Sequence, residues 1–136
     1  MKEFQARQAM GAGFKGEALV ARDGFSARYD LDRIGGTFSR PGHKLAGQSY
    51  VGKILVLDTA KGGVASAWML REMAARGRAP AALVLNSVNP ILAQGAAFAG
   101  LAMLAGFEGD ITSQVPHGAQ VEIDPARRIL RVLASR

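Results

Sequence analysis

The chain has 136 residues, of which 49% are hydrophobic and 21% charged, as expected of one folded domain and not of a disordered segment. It contains no cysteine, which excludes disulfides, zinc–thiolate sites, cysteine nucleophiles and any iron–sulfur cluster ligated by this chain. The net charge is +6, but the few aromatic residues do not alternate with the basic ones, so no base-stacking surface for nucleic acid is indicated.

The first ten residues, MKEFQARQAM, contain no apolar run of the kind found in a secretory signal, and the absence of cysteine agrees with a reducing compartment. These features predict a cytoplasmic protein. The stretch 90–107 carries no charge and therefore needs a membrane check. Its three glycines and Gln94 favour a buried helix that runs into a buried strand over a spanning helix.

Residues 1–52 are rich in glycine and turn signals, which predicts loops and short strands, with one strand at 16–21. Residues 11–16 match the pattern G-x-G-x-x-G. A dinucleotide site needs a strand before that pattern and a helix after it, whereas here a strand follows. No dinucleotide site is therefore predicted.

The middle of the chain predicts a strand, a helix and a second strand. Residues 53–57 (KILVL) and 81–85 (AALVL) are largely apolar runs, which are typical of strands buried on both faces. Residues 64–76 between them are good helix formers, and Gly77 and Pro80 end the helix. This order predicts a βαβ unit with parallel strands.

On the predicted helix, Ala65, Met69 and Met73 share one face, which we expect to be buried, while the charged residues face away. Trp68 is also assigned to the core.

A second helix is predicted from Asn89, a good N-cap, and Pro90, which suits the first helical position, to about Ala99. Residues 101–105 predict a further buried strand. The alternation from Val121 and the apolar run that ends at Leu133 predict a C-terminal β-hairpin. The fold class is therefore α/β, a single domain of residues 1–136 with a parallel βαβ core.

The loops 58–63 and 86–89 follow two neighbouring parallel strands, and open α/β sheets bind ligands at that carboxyl edge. Gly62 and Gly63 let backbone N–H groups approach a ligand closely, the following helix adds partial positive charge, and Lys61 adds a full charge. The loop predicts a carboxylate or phosphate site. The alternative is a glycine turn that only connects strand to helix.

Two other side chains are candidates for this site. His43 lies in a loop and could contact substrate, the alternative being an ordinary surface histidine. Ser66 lies in the first helical turn, where its hydroxyl can point into the anion pocket, the alternative being a small residue that allows close packing. Neither His43 nor His117 has a second ligand at metal spacing, so no metal site is predicted.

From residue 16 onward the order of motifs resembles the small, swivel-domain subunit of the aconitase X family. The matching stretches span most of residues 16–133. They are GEALV (16–20), HKLAGQSYVGKILVL (43–57), AKGGVASAWMLREMAARGRAPAALVLN (60–86) and NPILAQGAAFAGL (89–101).

The resemblance implies a swivelling β/β/α domain paired with a large subunit that carries an iron–sulfur cluster and most catalytic groups. Characterised relatives dehydrate hydroxy acids, including a phosphorylated mevalonate and cis-3-hydroxyproline. The chain would then be the small subunit of a heteromeric hydro-lyase, inactive alone. It would supply the wall that binds the substrate anion, through Lys61 and the N–H groups of Gly62, Gly63 and Val64.

The family's loop commonly reads G-[KR]-G-S, and its serine is the proposed catalytic base. Lys61 and Gly62 match this pattern, but Gly63 stands at the serine position. Ser66 is the candidate to replace that serine, because side chains on a helix lean toward its N-terminus. The alternative function is a non-catalytic anion-binding or swivel module without dehydratase activity.

Overall fold

The computed structural model describes residues 2–27 and 29–134, so residues 1, 28, 135 and 136 of the predicted domain lie outside the described ranges. The strands in this part are β1 (Lys2–Gln5), β2 (Gln8–Met10), β3 (Phe14–Val20), β4 (Gly24–Phe25), β5 (Leu31–Asp32), β6 (Thr37–Phe38), β7 (Ile54–Ala60), β8 (Ala82–Val88), β9 (Ala102–Ala105), β10 (Gln120–Asp124) and β11 (Ile129–Ala134). The helices are α1 (Val64–Ala75), α2 (Pro90–Phe98) and a short 3-10 turn (Ile111–Ser113).

The main sheet has the strand order β1-β11-β10-β3-β7-β8-β9-β2, and β4 pairs with β7 beyond the end of β3. Strands β3, β7, β8 and β9 are parallel to one another, and the other neighbours in the order are antiparallel. Only Ala6 and Arg7 separate β1 from β2, yet these strands lie at opposite ends of the order. The amide of Ala6 donates to Arg128 and that of Arg7 to Ala105, so the sheet curls into a barrel.

The predicted βαβ unit is confirmed. Strands β7 and β8 pair in parallel register from Ile54 opposite Ala82 to Ala60 opposite Val88, with α1 between them in the chain. Each strand begins one residue later than predicted and ends three residues further on, because the residues that follow the apolar run stay in the ladder. The Ser87 hydroxyl, for example, lies 3.2 Å from that of Thr59 across the two strands.

Alternate residues of the parallel strands enter two separate cores, since successive side chains of a strand point to opposite faces. Ile54 and Val56 lie inside the barrel, whereas Leu55 and Leu57 face the helices. All four are fully buried. Leu70 of α1 completes the core on the helix side.

The prediction of the buried face of α1 is right for Met73, which is buried, and for Met69, which is partly buried against the core, but wrong for Ala65 and for Trp68. Ser66, Leu70 and Met73 are its buried residues, whereas Ala65 is exposed and Trp68 is 62% exposed. The first seven residues of α1 are nearly all apolar, so their periodicity does not select one face. Packing against the sheet makes that selection.

The remaining elements agree with the prediction in part. The strand near residue 16, α2, β9 and the C-terminal hairpin are confirmed, and the Asn89 side chain caps α2 by accepting from the Leu92 amide at 2.8 Å. Strands β1 and β2 were missed, because both are short and pair only with distant residues. In the described ranges no helix is long and apolar enough to cross a membrane.

Gly95 provides a test of the packing between the helices. A Cβ at this position would lie 2.7 Å from the Ala67 Cα, so the backbones of α1 and α2 approach too closely for a side chain. Alanine is favoured over glycine in a helix by about 1 kcal/mol, but overpacking costs about 1–3 kcal/mol. Because the added Cβ would meet backbone atoms, we expect overpacking to prevail and Gly95→Ala to lower the free energy of unfolding by up to about 2 kcal/mol in urea titrations.

Gln94→Ala is the matched control, because Gln94 is the exposed neighbour in the same helix. We expect it to change stability by less than about 0.5 kcal/mol. Increased stability of Gly95→Ala would contradict the close approach of the two helices.

Candidate functional site

A cleft of about 770 Å³ opens at the carboxyl edge of the parallel strands, where the sequence predicts an anion site. One wall is formed by residues between Arg22 and Asp30 together with Arg40. The other wall is formed by the end of β7, the loop 61–63 and the start of α1. Lys61, Gly62, Gly63 and Ser66 all line this cleft, so the structure brings together four of the six predicted site residues.

The loop between β7 and α1 is held in place on both sides. The Lys61 amide donates to the Phe25 carbonyl at 2.8 Å, and the Asn89 side chain donates to the Gly62 carbonyl at 3.0 Å. Gly62 has φ +121°, and a Cβ there would overlap the Ser66 hydroxyl, so only glycine fits. Gly63 has φ −122° and open space around its Cβ position, so its lack of a side chain is not required by packing.

The N-terminus of α1 is uncapped by side chains. Its N-cap residue is Gly63, and no acidic residue occurs in the first turn. The first N–H groups of a helix have no intrahelical partner and carry the positive end of the helix dipole. In contrast to α2, which Asn89 caps, α1 therefore leaves these donors available to an anion at the cleft.

In the described part of the chain three cations line the cleft, and Arg22 among them lies 3.6 Å from an oxygen of Asp110. Lys61 is the one of the three that is available to a ligand. Its side chain is exposed and forms no ion pair within residues 2–27 and 29–134. Arg40, by contrast, is committed: its Nε lies 2.6 Å from an oxygen of Asp30 and its terminal nitrogen 3.1 Å from Asp23. The hydrogen bond that Arg40 donates to Asp30 raises the pKa of Arg40, which keeps this guanidinium charged and engaged within the wall.

Asp23 also belongs to the structure of this wall. Burial works to raise its pKa, but the amides of Gly24 and Lys44, with His43 and Arg40 nearby, lower it below the usual value. Its carboxylate is therefore ionised at neutral pH and accepts hydrogen bonds from the segment that lines the cleft.

His43 is buried behind the wall and does not line the cleft. Its Nδ1 accepts from the Leu45 amide at 3.0 Å, so Nε2 carries the hydrogen that is donated to the Gly24 carbonyl at 2.8 Å. The ring stacks on Phe38 with centroids 4.5 Å apart. The alternative of a surface histidine is wrong, since His43 is 3% exposed. The geometry gives it a role in positioning Gly24, and its predicted contact with substrate stays a prediction.

The Val64 side chain is 62% exposed and points into a separate groove between the two helices, so only its backbone belongs to the anion site. Ser66 is 3% exposed and lies directly beneath Gly62 at the cleft. Its hydroxyl is therefore close to the loop, while its role in catalysis stays a prediction.

The sequence analysis missed a polar network at the same edge. The Asn86 side chain donates to Asp58 at 2.9 Å and to Asp110 at 2.8 Å, and its oxygen accepts from the Ile111 amide. Hydrogen bonds from Asn86 and Thr112 lower the pKa of Asp110. The signal was present, because Asp58 and Asn86 each follow a buried apolar run directly. The sequence carries no such signal for Asp30 and Arg40, because both lie in the irregular segment before residue 53.

Within the described part of the chain, no group of three or more histidine and carboxylate side chains is arranged to hold a metal ion. The chemistry that this chain offers at the cleft is anion binding by N–H donors and a lysine, with a hydroxyl and a carboxylate nearby.

Two relatives that this chain resembles in sequence share one protein name. It is 28% identical to the phosphomevalonate dehydratase small subunit of Pyrococcus horikoshii over 120 aligned residues. The alignment covers 88% of this chain and 87% of that relative. It is 30% identical to the protein of the same name from Methanopyrus kandleri over 113 aligned residues. That alignment covers 83% of this chain and 84% of the relative.

The fold has solved counterparts as well. A chain of the crystal structure of Thermococcus kodakaraensis aconitase X in its holo-form matches with a TM-score of 0.89 and 25% identity, over 98% of this chain and 99% of that one. The solution structure of a UPF0107 protein matches with a TM-score of 0.81 and 24% identity. The family model of the aconitase X swivel domain matches residues 3–132, and the chain therefore belongs to the aconitase X swivel-domain family.

Proposed function

We propose that this chain is the small subunit of a two-chain dehydratase of the aconitase X type, and that its cleft binds the anionic group of the substrate. One observation carries the proposal. The helix N-terminus that no side chain caps lies beside Gly62, Gly63 and Lys61, and Lys61 forms no ion pair among the described residues. Backbone N–H donors and a lysine are the groups that proteins use to hold phosphate or carboxylate.

The substrate class that we propose is a phosphorylated hydroxy acid. The relatives from Pyrococcus horikoshii and Methanopyrus kandleri are named for phosphomevalonate, which carries both a phosphate and a carboxylate. The cleft of about 770 Å³ has room for a ligand of this size, since small-molecule sites typically measure about 300–1,000 Å³.

The reaction removes a proton and a hydroxyl group from neighbouring carbons of the substrate and releases them together as water. Because this chain has no cysteine, an iron–sulfur cluster of the complex would be ligated by the large subunit. When bound, such a cluster supplies a Lewis acid for departure of the hydroxyl group. The part of this chain is to hold and orient the substrate's anionic group, which places the carbon that loses its proton at a fixed position.

Ser66 is the candidate proton acceptor on this chain. Proton transfer requires a group within hydrogen-bond reach of the reacting atom, and Gly63 has no side chain to offer. Ser66 lines the same cleft one helical turn away. The competing possibility is that the large subunit supplies the base.

The missing side chain at Gly63 favours a second candidate function, a non-catalytic swivel module that binds anions. Assay of the purified chain together with the aconitase X-type large subunit of the same organism separates the two. We expect the mixture to dehydrate phosphomevalonate and each chain alone to be inactive, because the site is complete only when the two chains meet. A stable complex that binds phosphomevalonate without turnover would establish the non-catalytic function instead.

Replacement of Lys61 tests the anion site. We expect Lys61→Ala to lower kcat/KM of the complex. The loss should correspond to about 1–3 kcal/mol of transition-state stabilisation, the range for loss of a charge-assisted hydrogen bond. Thermal stability should not change, because the side chain is exposed. Lys44→Ala is the matched control, since it removes the same charge from an exposed side chain that does not line the cleft. Equal kinetics of the two variants would assign Lys61 to the solvated surface.

Replacement of Ser66 tests the proton acceptor. We expect Ser66→Ala in the complex to abolish turnover while the Kd for phosphomevalonate, measured by calorimetry, stays the same. Ser87→Ala, which removes a hydroxyl at the end of β8, serves as the control. If Ser66→Ala keeps a near-normal kcat, the proton acceptor is assigned to the large subunit and not to Ser66. In that case Gly63→Ser, for which the loop has space, should not increase the rate.

A further inference from the structure

The outer faces of the two helices carry an apolar surface that the cleft does not use. Val64 and Trp68 of α1 are each 62% exposed, and Ile91 and Phe98 of α2 are 50% and 71% exposed. These are half of the eight large hydrophobic side chains exposed in the described part of the chain. They form a cluster and are not scattered, because all four line one groove between α1 and α2.

The groove has the size and composition of a protein contact. Its volume is about 250 Å³, below the range of about 300–1,000 Å³ for small-molecule sites. Ala67 and Gly95, at the close approach of the two helices, also line it. Arg71 is its one charged lining residue, with the guanidinium 5.4 Å from the centre of the Trp68 ring. Tryptophan, phenylalanine and arginine are enriched at protein interfaces.

The exposed face of helix α2 is apolar except for Gln94. The helix contains no charged residue from Pro90 to Phe98, although its exposed face would contact water in an isolated chain. A helix that is apolar all round is normally buried. Contiguous exposed apolar patches on soluble proteins mark interaction sites.

The groove adjoins the cleft through one continuous segment of chain. Val64 lines the groove and directly follows Gly63, which lines the cleft. A protein that closes the cleft over Lys61 and Gly63 therefore also passes over the groove. A second copy of this chain fits less well, because each copy has a net charge of +6 and would bring another Arg71 to the interface.

We infer that the groove between α1 and α2 is the docking surface for the large subunit. The large subunit inserts an apolar side chain between Trp68 and Phe98 and places a carboxylate beside Arg71. This inference rests on the proposed function for the existence of the partner and adds the surface through which the partner binds.

The affinity between the purified chain and the aconitase X-type large subunit of the same organism tests this surface without any measurement of activity. We expect Phe98→Glu and Arg71→Glu each to raise the Kd by about tenfold or more in isothermal titration calorimetry. Ile34→Glu is the matched control, because Ile34 is 80% exposed but lines a different cleft. Unchanged melting temperatures of the variants would show that they fold.

The one tryptophan of the chain, Trp68, gives a second readout. A chain labelled with 5-fluorotryptophan has one ¹⁹F resonance. We expect unlabelled large subunit to shift that resonance and to reduce its H₂O/D₂O isotope shift, because docking removes the ring from water.

The outcomes separate this inference from the proposed function. Binding with the same Kd for Phe98→Glu and Ile34→Glu would overturn the docking surface and leave the proposed function intact. Failure of the wild-type chain to bind the large subunit would overturn the proposed function as well. Self-association of the wild-type chain in sedimentation experiments, lost in Phe98→Glu, would assign the groove to a second copy and overturn the inference.

Discussion

Strands β7 and β8 are apolar on both faces, and the rest of the fold covers these two faces. Leu55 and Leu57 on one face and Ile54 and Val56 on the other are fully buried. Each face is covered differently: the helices α1 and α2 cover one, and the closed barrel covers the other. Burial on this scale is the main favourable term in folding, so the helices and the barrel both depend on these strands.

The same parallel strands determine where the site lies. Because β3, β7 and β8 run in one direction, their carboxyl ends meet at one edge. The segments after β3 and β7 supply Arg22 and Lys61 there, and the end of β8 itself supplies Asn86. The start of α1 points its free N–H groups into this edge. Of the cations that line the cleft, Arg40 holds the wall together through two aspartates and Arg22 pairs with Asp110. Lys61 forms no ion pair among the described residues and remains available to a ligand.

The cleft and the apolar groove are two consequences of the way α1 begins. Gly62 lets the chain turn sharply over Ser66, which places Lys61 and Gly63 at the cleft and directs Val64 outward into the groove. One turn of the chain thus supplies the polar surface that we propose for a small anion and an apolar surface beside it. A partner that covers both would exclude water from the anion site and strengthen its electrostatic interactions.

The sequence alone determined the βαβ unit, α2 with its Asn89 cap, the C-terminal hairpin and the loop at Lys61, Gly62 and Gly63. Local signals specify each of these: continuous apolar runs, a capping residue and a glycine pair. Only the tertiary structure decided which face of α1 is buried, that β1 and β2 close the barrel, and that His43 lies behind the wall and not on the surface. These features depend on contacts between residues far apart in the chain, such as β1 with β11 and His43 with Gly24, and no local pattern encodes such pairings.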